Sequence, residues 1–258
     1  MNMYLSYLLI DTGDNPDRPR PGRLWIRNRY HVHQRLCMAF PNRNRKADDP
    51  DFIQPFQPAD FGVDQVHVPR QPDQGFLFRI DPLPGGRVAI LVQSATKPDW
   101  DYAFHNAGFL LAAPPEIKSF AVDFRPRQRL RFRLLANPTR KIDTKTGPGG
   151  KRRSGRRVPL AKGELAAWLI RKAATAGFNV DSNALAIQPS FVYFRKTEKH
   201  LPENSADEQR PGGQKLRAVL YEGIIEVADP EKLRAALVAG IGSAKGFGFG
   251  LLSVAACR

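Results

Sequence analysis

The chain has 258 residues, 42% of them hydrophobic, enough to bury one large core or two small ones. No apolar run approaches the ~18–20 residues of a membrane span, and the opening MNMYLSYLLIDTGD lacks the basic segment and cleavage site of a secretory leader, so neither a membrane protein nor a signal peptide is expected. Two cysteines, Cys37 and Cys257, are too few for a disulfide framework or a cysteine-ligated zinc module, and they point to a reducing cytosol. Forty Lys and Arg against 25 Asp and Glu leave a net charge of +15. That excess is local. Residues 125–157 carry Arg125, Arg127, Arg129, Arg131, Arg133, Arg140, Lys141, Lys145, Lys151, Arg152, Arg153, Arg156 and Arg157 against the single acid Asp143, so 12 of the 15 excess charges fall in this stretch. Charge focused in this way concentrates phosphates and gives a salt-dependent affinity, so a nucleic-acid partner is expected.

In chain order, MYLSYLLID (3–11) reads as an apolar strand, followed by a Pro/Gly/Asn turn region. From Leu24 to Phe40 the spacing turns helical, with Tyr30, His33, Leu36, Cys37 and Phe40 recurring at three and four. Residues 41–74 are polar and hold six prolines, and they read as a long, partly flexible insertion. FLFRIDPLPGGRVAILVQSA predicts a hairpin across a Pro-Gly-Gly turn. A weakly marked helix near 100–111 and a strand at 118–124 complete a β-α-β-β-α-β unit.

The second half repeats the order. RLRFRLLA (129–136) alternates, with Leu130, Phe132 and Leu134 on one face and Arg129, Arg131 and Arg133 on the other. GELAAWLIRKAATAG (163–177) predicts an amphipathic helix ending at Gly177. Two strands follow, ALAIQPSFVYF and KLRAVLYEGIIEVAD, separated by the polar stretch 198–214. A helix capped by Asp229 with Pro230 at its first position comes next, then a glycine-rich turn and a last strand, GLLSVAA. The expected fold class is α+β, two tandem ferredoxin-like domains over 1–120 and 121–258, each an antiparallel sheet with helices on one face.

The glycine run GIGSAKGFGFG (240–250) follows a helix and precedes a strand, the reverse of a dinucleotide fingerprint, and no Ser or Thr follows Lys245 as a phosphate loop of the nucleotide-binding type would need. Two readings remain: exposed N–H groups approaching a phosphate backbone, or a tight turn packed on its own sheet. The five histidines, His31, His33, His67, His105 and His200, show no metal-binding spacing. Tyr30 and His33 share one helical face, as a half-buried packing pair or an acid–base pair would. Serine triads and paired carboxylates have no support.

Six blocks, NRYHVHQRLCMAFP, KPDW, QRLRFRLLANP, RRVPL, VLYEGIIEVADPEKL and GIGSAKGFGFGLLSV, stand in the order found in the CasE family, and the chain resembles that family from its first strand to its last residues. The family is the CRISPR-RNA-processing endoribonuclease of the type I-E Cascade complex, within the RAMP superfamily. The resemblance implies a pair of ferredoxin-like, RNA-recognition-type domains and metal-independent cleavage of the CRISPR repeat transcript beside its stem-loop. It also implies retention of the product RNA as a Cascade subunit, with no cofactor, membrane or small-molecule ligand. The family's catalytic Tyr and His, three residues apart on the first helix, fall on Tyr30 and His33. Its glycine-rich loop falls on Gly240, Gly242, Gly246 and Gly248, with Lys245 as the residue facing phosphate. RNA contacts are expected from these and from Arg129, Arg131, Arg133, Arg140, Lys151, Arg152, Arg153, Arg156 and Arg157. The chain departs from the family at Leu135, where Arg is common, and in the length of 41–74 and 141–155. A non-catalytic RNA-binding subunit is the alternative reading. A housekeeping protein with tandem recognition domains would carry stacking aromatics on a central strand, which GFGFG does not match.

Overall fold

The computed structural model describes residues 3–13, 20–40, 75–142, 156–194 and 214–257. The expected insertion 41–74 and the basic residues Lys145, Lys151, Arg152 and Arg153 lie outside them. The chain divides into two units. One comprises Met1–Val122 with Val192–Lys215 and Gly246–Gly248; the other comprises Asp123–Phe191, Leu216–Lys245 and Phe249–Arg258.

In the first unit, β1 (Met3–Ile10), β2 (Phe76–Pro82), β3 (Val88–Ser94) and β4 (Glu116–Phe120) form an antiparallel sheet of order β2-β3-β1-β4. With β2 and β3 joined through the Pro84–Gly86 turn, this is the ferredoxin-like order. The fourth strand is Glu116–Phe120, starting two residues and ending four residues earlier than 118–124 predicts, because its pairing with β1 spans that range: Tyr7 faces Glu116 and Met3 faces Phe120. The single helix expected over 24–40 is two, α1 (Pro21–Arg27) and α2 (Arg29–Met38). Asn28 breaks it. Its backbone is extended (φ −102°, ψ 97°) and its side-chain oxygen accepts the Tyr30 N–H at 3.2 Å, starting a new helix. The weak helix near 100–111 resolves into α3 (Trp100–Phe104), capped by Asp99, and a short turn at Gly108–Leu110. Leu8, Ile10, Val32, Leu36, Phe76, Phe78, Ile90, Val92, Trp100 and Phe104 meet in one core.

In the second unit, β5 (Arg129–Ala136), β8 (Phe178–Val180), β10 (Gln214–Val227) and β11 (Leu252–Ala256) give the order β11-β5-β10-β8, and β9 (Ala186–Phe194) pairs with β10. This is the same ferredoxin-like arrangement, with α4 (Leu165–Thr175) and α5 (Pro230–Ala239) as its two helices. A separate ribbon pairs β6 (Thr139–Ile142) with β7 (Arg156–Pro159). The Asp229 carboxylate accepts the N–H groups of Glu231 and Lys232, both at 3.1 Å, and Pro230 opens α5 where no N–H is needed. Those hydrogen bonds, from Lys232 first, hold the Asp229 carboxyl below its ordinary range. Gly177 turns the chain after α4 at φ 79°.

The period-two reading of β5 holds. Leu130, Phe132 and Leu134 are buried, while Arg129 and Arg131 on the other face are exposed and Arg133 is half-buried. One strand therefore supplies core with one face and charge with the other. Phe132→Ala is expected to cost about 3–5 kcal/mol in urea unfolding, the usual range for emptying a buried phenyl site, whereas Arg131→Ala on the opposite face should cost less than about 0.5 kcal/mol.

Candidate nucleic-acid interface and acid–base site

Helix α2 places Tyr30, His33 and Cys37 on one face, at i, i+3 and i+7. Tyr30 is 6% exposed and His33 is 9% exposed. The His33 ring stacks on Phe78 (centroids 6.2 Å apart, 12° between planes) and tilts against Phe76 at 5.6 Å. These two phenyl groups project from one face of β2 because Leu77 lies between them. The Cys37 sulfur lies 3.6 Å from Nε2 of His33 and 3.9 Å from Nδ1. Burial, and secondarily the negative charge of an ionised Cys37, push the Tyr30 phenol above its ordinary value. It therefore stays protonated and can donate at neutral pH.

The glycine-rich segment reaches this face. A Cβ on Gly246 would stand 3.5 Å from Nε2 of His33, so any side chain there would cover the imidazole. Gly248 has φ 81°, and a Cβ on it would lie 3.0 Å from the Phe78 ring and 3.2 Å from Nη1 of Arg29. Phe247, between the two glycines, packs its ring on Phe194 at 4.1 Å. The first unit thus brings Tyr30, His33, Gly246 and Gly248 together. Gly240 and Gly242 belong to the second unit, at the end of α5, where Gly240 is the C-cap. Lys245, expected to face phosphate, donates its ammonium to the Ala239 carbonyl in this structure and so closes the last turn of α5.

The basic face lies in the second unit. Arg129 pairs with Asp181 at 3.1 Å and Arg133 with Glu222 at 2.7 Å, and Arg131 stands between them without a carboxylate partner among the described residues. Both pairs are exposed enough to be weak, so a phosphate can replace either carboxylate. Arg140 lies 3.5 Å from Glu164. Across the β6–β7 ribbon, Lys141 is directly opposite Arg157 and both are exposed. Like charges in that relation repel, and an anion between them relieves the repulsion. The backbone of Arg156 belongs to β7.

Sequence patterns alone miss two features around this face: the phenyl pair under His33 and the Arg29 guanidinium near Gly248. The Phe76/Phe78 alternation is visible in the sequence, but nothing local says that β2 lies beneath α2. Arg29 carries no periodic signal at all. Among the described residues no three His, Cys, Asp or Glu side chains are grouped to hold a metal ion, and no helix is long and apolar enough to cross a membrane.

A family model described as CRISPR associated protein matches residues 3–256 of the chain. The CRISPR system Cascade subunit CasE of Escherichia coli K12 is 30% identical over 260 residues, covering 98% of this chain and 99% of its own. This chain is a member of the CasE family. The CRISPR-associated endoribonuclease Cse3 of Thermus thermophilus, a further relative, is 35% identical over 181 residues, 69% of this chain and 79% of its own. A structure of Thermus thermophilus Cse3 bound to an RNA representing a pre-cleavage complex matches with a TM-score of 0.65 at 30% identity, covering 99% of this chain and 100% of that one. The tandem ferredoxin-like architecture of the CasE family thus agrees with the two sheet orders described above.

Proposed function

We propose that this CasE-family chain is an endoribonuclease that binds the stem-loop of CRISPR repeat RNA, cleaves the precursor beside it without a metal ion, and stays bound to the product as a subunit of Cascade in the cytoplasm. The observation that carries the reading is the Tyr30–His33 face of α2, with Gly246 placing no side chain of its own over Nε2 of His33. The relatives' names, and the RNA in the Cse3 structure, support the same reading.

In the reaction, the ribose 2′-hydroxyl gives its proton to water as its oxygen attacks the adjacent phosphorus, the P–O5′ bond breaks, and the products carry a 2′,3′-cyclic phosphate (or the 3′-phosphate that water forms from it) and a 5′-hydroxyl. His33 gives a proton to the departing 5′-oxygen, a contribution of roughly 10²–10⁴ in rate. Tyr30, kept protonated by burial, orients the 2′-hydroxyl or the phosphate through its O–H. Phe78 and Phe76 hold the imidazole plane, which preserves its aim at the reacting atoms. An A-form stem offers mainly phosphates and shape to a protein. The arginine face of β5 and the β6–β7 ribbon supply the matching charge, joined in this proposal by Lys151, Arg152 and Arg153 between its strands.

His33→Ala should abolish cleavage of a repeat hairpin while leaving its binding within a few fold, because the imidazole acts on the transition state. Tyr30→Phe should slow cleavage less, and excess EDTA should leave the wild-type rate unchanged. Cleavage by His33→Ala at the wild-type rate would move the active site elsewhere, and activity abolished by EDTA and restored by Mg²⁺ would end the metal-independent reading.

Charge also has a salt signature. Removing one arginine–phosphate interaction should reduce the slope of log K against log salt by roughly 0.9, the duplex-DNA value taken as a guide for RNA. Neutralising Arg152, Arg153, Arg156 and Arg157 together should weaken hairpin binding strongly at moderate salt and little at low salt, with an unchanged thermal melt. A slope equal to wild type in a folded variant would place the stem on another surface.

A further inference from the structure

We propose that Arg29 is a further catalytic residue, its guanidinium gripping the non-bridging oxygens of the scissile phosphate beside His33; this rests on the reading of the Tyr30–His33 face as the cleavage site. Nη1 of Arg29 is buried and has no hydrogen-bond partner among the described residues. A guanidinium cannot shed its charge by deprotonating at neutral pH, so a buried, unanswered donor on it is costly and calls for an explanation.

The neighbouring carboxylate does not supply one. Asp81 attracts Arg29, but both Asp81 oxygens already accept from Arg79, whose Nε donates at 2.7 Å and Nη2 at 2.9 Å. Among the described residues, two guanidiniums therefore share this one carboxylate, which leaves one positive charge in excess. Burial outweighs the pull of Asp81 and lowers the Arg29 pKa to about 10, still far enough above neutrality to keep it charged.

Position adds a second cost. Arg29 is the first residue of α2, and that first turn contains no acid. The positive end of the helix dipole repels a cation there and favours an anion. An incoming phosphate would relieve both the unpaired donor and the unfavourable end charge. Arg35, further along the same helix, is the contrast: its Nη1 donates to the Ala103 carbonyl at 3.0 Å and to Asn106 Oδ1 at 2.9 Å. Arg35 is a structural bolt between α2 and the α3 region. Nη1 of Arg29 is not tied in that way.

The geometry places the charge near the proposed acid–base pair. Nη1 of Arg29 would lie 3.2 Å from a Cβ on Gly248, and the same Cβ would touch Phe78, the ring on which His33 is stacked. The other glycine of this segment, Gly246, faces Nε2 of His33. Arg29 and His33 are thus the cation and the imidazole facing two positions of one segment, both without side chains. As the 2′-oxygen bonds to phosphorus, the non-bridging oxygens gain negative charge, and a donor fixed beside them stabilises that charge more than it does the ground state. No proton is transferred to or from Arg29.

The test uses the full chain, a repeat hairpin that it cleaves, single-turnover rates at saturating protein, and thermal melts. Arg29→Met keeps the stem and removes the charge. It should bind RNA within about threefold of wild type, cleave about 10²–10³-fold more slowly, and melt no lower, because an uncompensated buried charge has been removed. Arg29→Lys should recover part of the rate. Arg29→Met cleaving within about threefold of wild type while His33→Ala is inactive would overturn the proposal and leave the site standing. A rate loss that follows a lowered melt and disappears when cleavage is measured well below it would make Arg29 structural, and would also overturn it. His33→Ala cleaving normally would defeat the underlying site.

Discussion

The cap that Asn28 places on α2 decides the geometry of everything near it. By taking the Tyr30 N–H onto its side chain, Asn28 ends α1 and starts a second helix one residue later. The helical phase that begins there sets Tyr30, His33 and Cys37 on one face and Val32 and Leu36 in the core. A helix running unbroken from Leu24 would give the same i, i+3 spacing with a different aim. The Phe76/Phe78 pair then receives the imidazole, and the segment Gly246–Gly248 reaches it without side chains that would cover it. Catalysis by one imidazole requires that kind of fixed placement, since a misaimed proton donor loses most of its advantage.

In the proposed function, binding draws on a different device, the alternation of β5. Its inward residues are ordinary core, and its outward arginines meet Glu222 and Asp181 in exposed ion pairs. Such pairs add little to stability, and a polyanion can exchange with them at little cost. They also reduce the self-repulsion of a strongly basic face. The Lys141–Arg157 pair across the β6–β7 ribbon has no comparable relief from each other, which marks that ribbon as a place where phosphate is expected.

Much of this is legible in the residues. The strands 3–10, 76–82, 88–94 and 129–136 follow from apolar runs and alternation, and α4 and α5 from amphipathic spacing with Gly177 and the Asp229–Pro230 cap. Tyr30 and His33 share a face by spacing alone, but only the family resemblance distinguishes them from a packing pair. The misses have physical causes. Asn28 is a common residue whose capping bond depends on local backbone, so the helix break does not show in the hydrophobic period. The limits of β4 are set by its partner β1, a long-range constraint. Lys245 reads as facing phosphate from its place in the glycine run, yet its reach to the Ala239 carbonyl follows from the path of the loop, which composition does not encode. The surplus charge at Arg29 depends on Arg79 occupying Asp81, a relation across two elements.

The proposed chemistry at the Tyr30–His33 face rests on the RNA's own 2′-hydroxyl as the nucleophile. The direct measurement is cleavage of a repeat hairpin carrying a single 2′-deoxy substitution at the nucleotide 5′ of the cut, in EDTA, with the ends of the unmodified product identified by mass spectrometry. The expected result is no cleavage of the substituted RNA with binding retained, and a 2′,3′-cyclic phosphate or 3′-phosphate with a 5′-hydroxyl from the unmodified one. Cleavage of the deoxy substrate at the normal rate, leaving a 5′-phosphate, would contradict that chemistry.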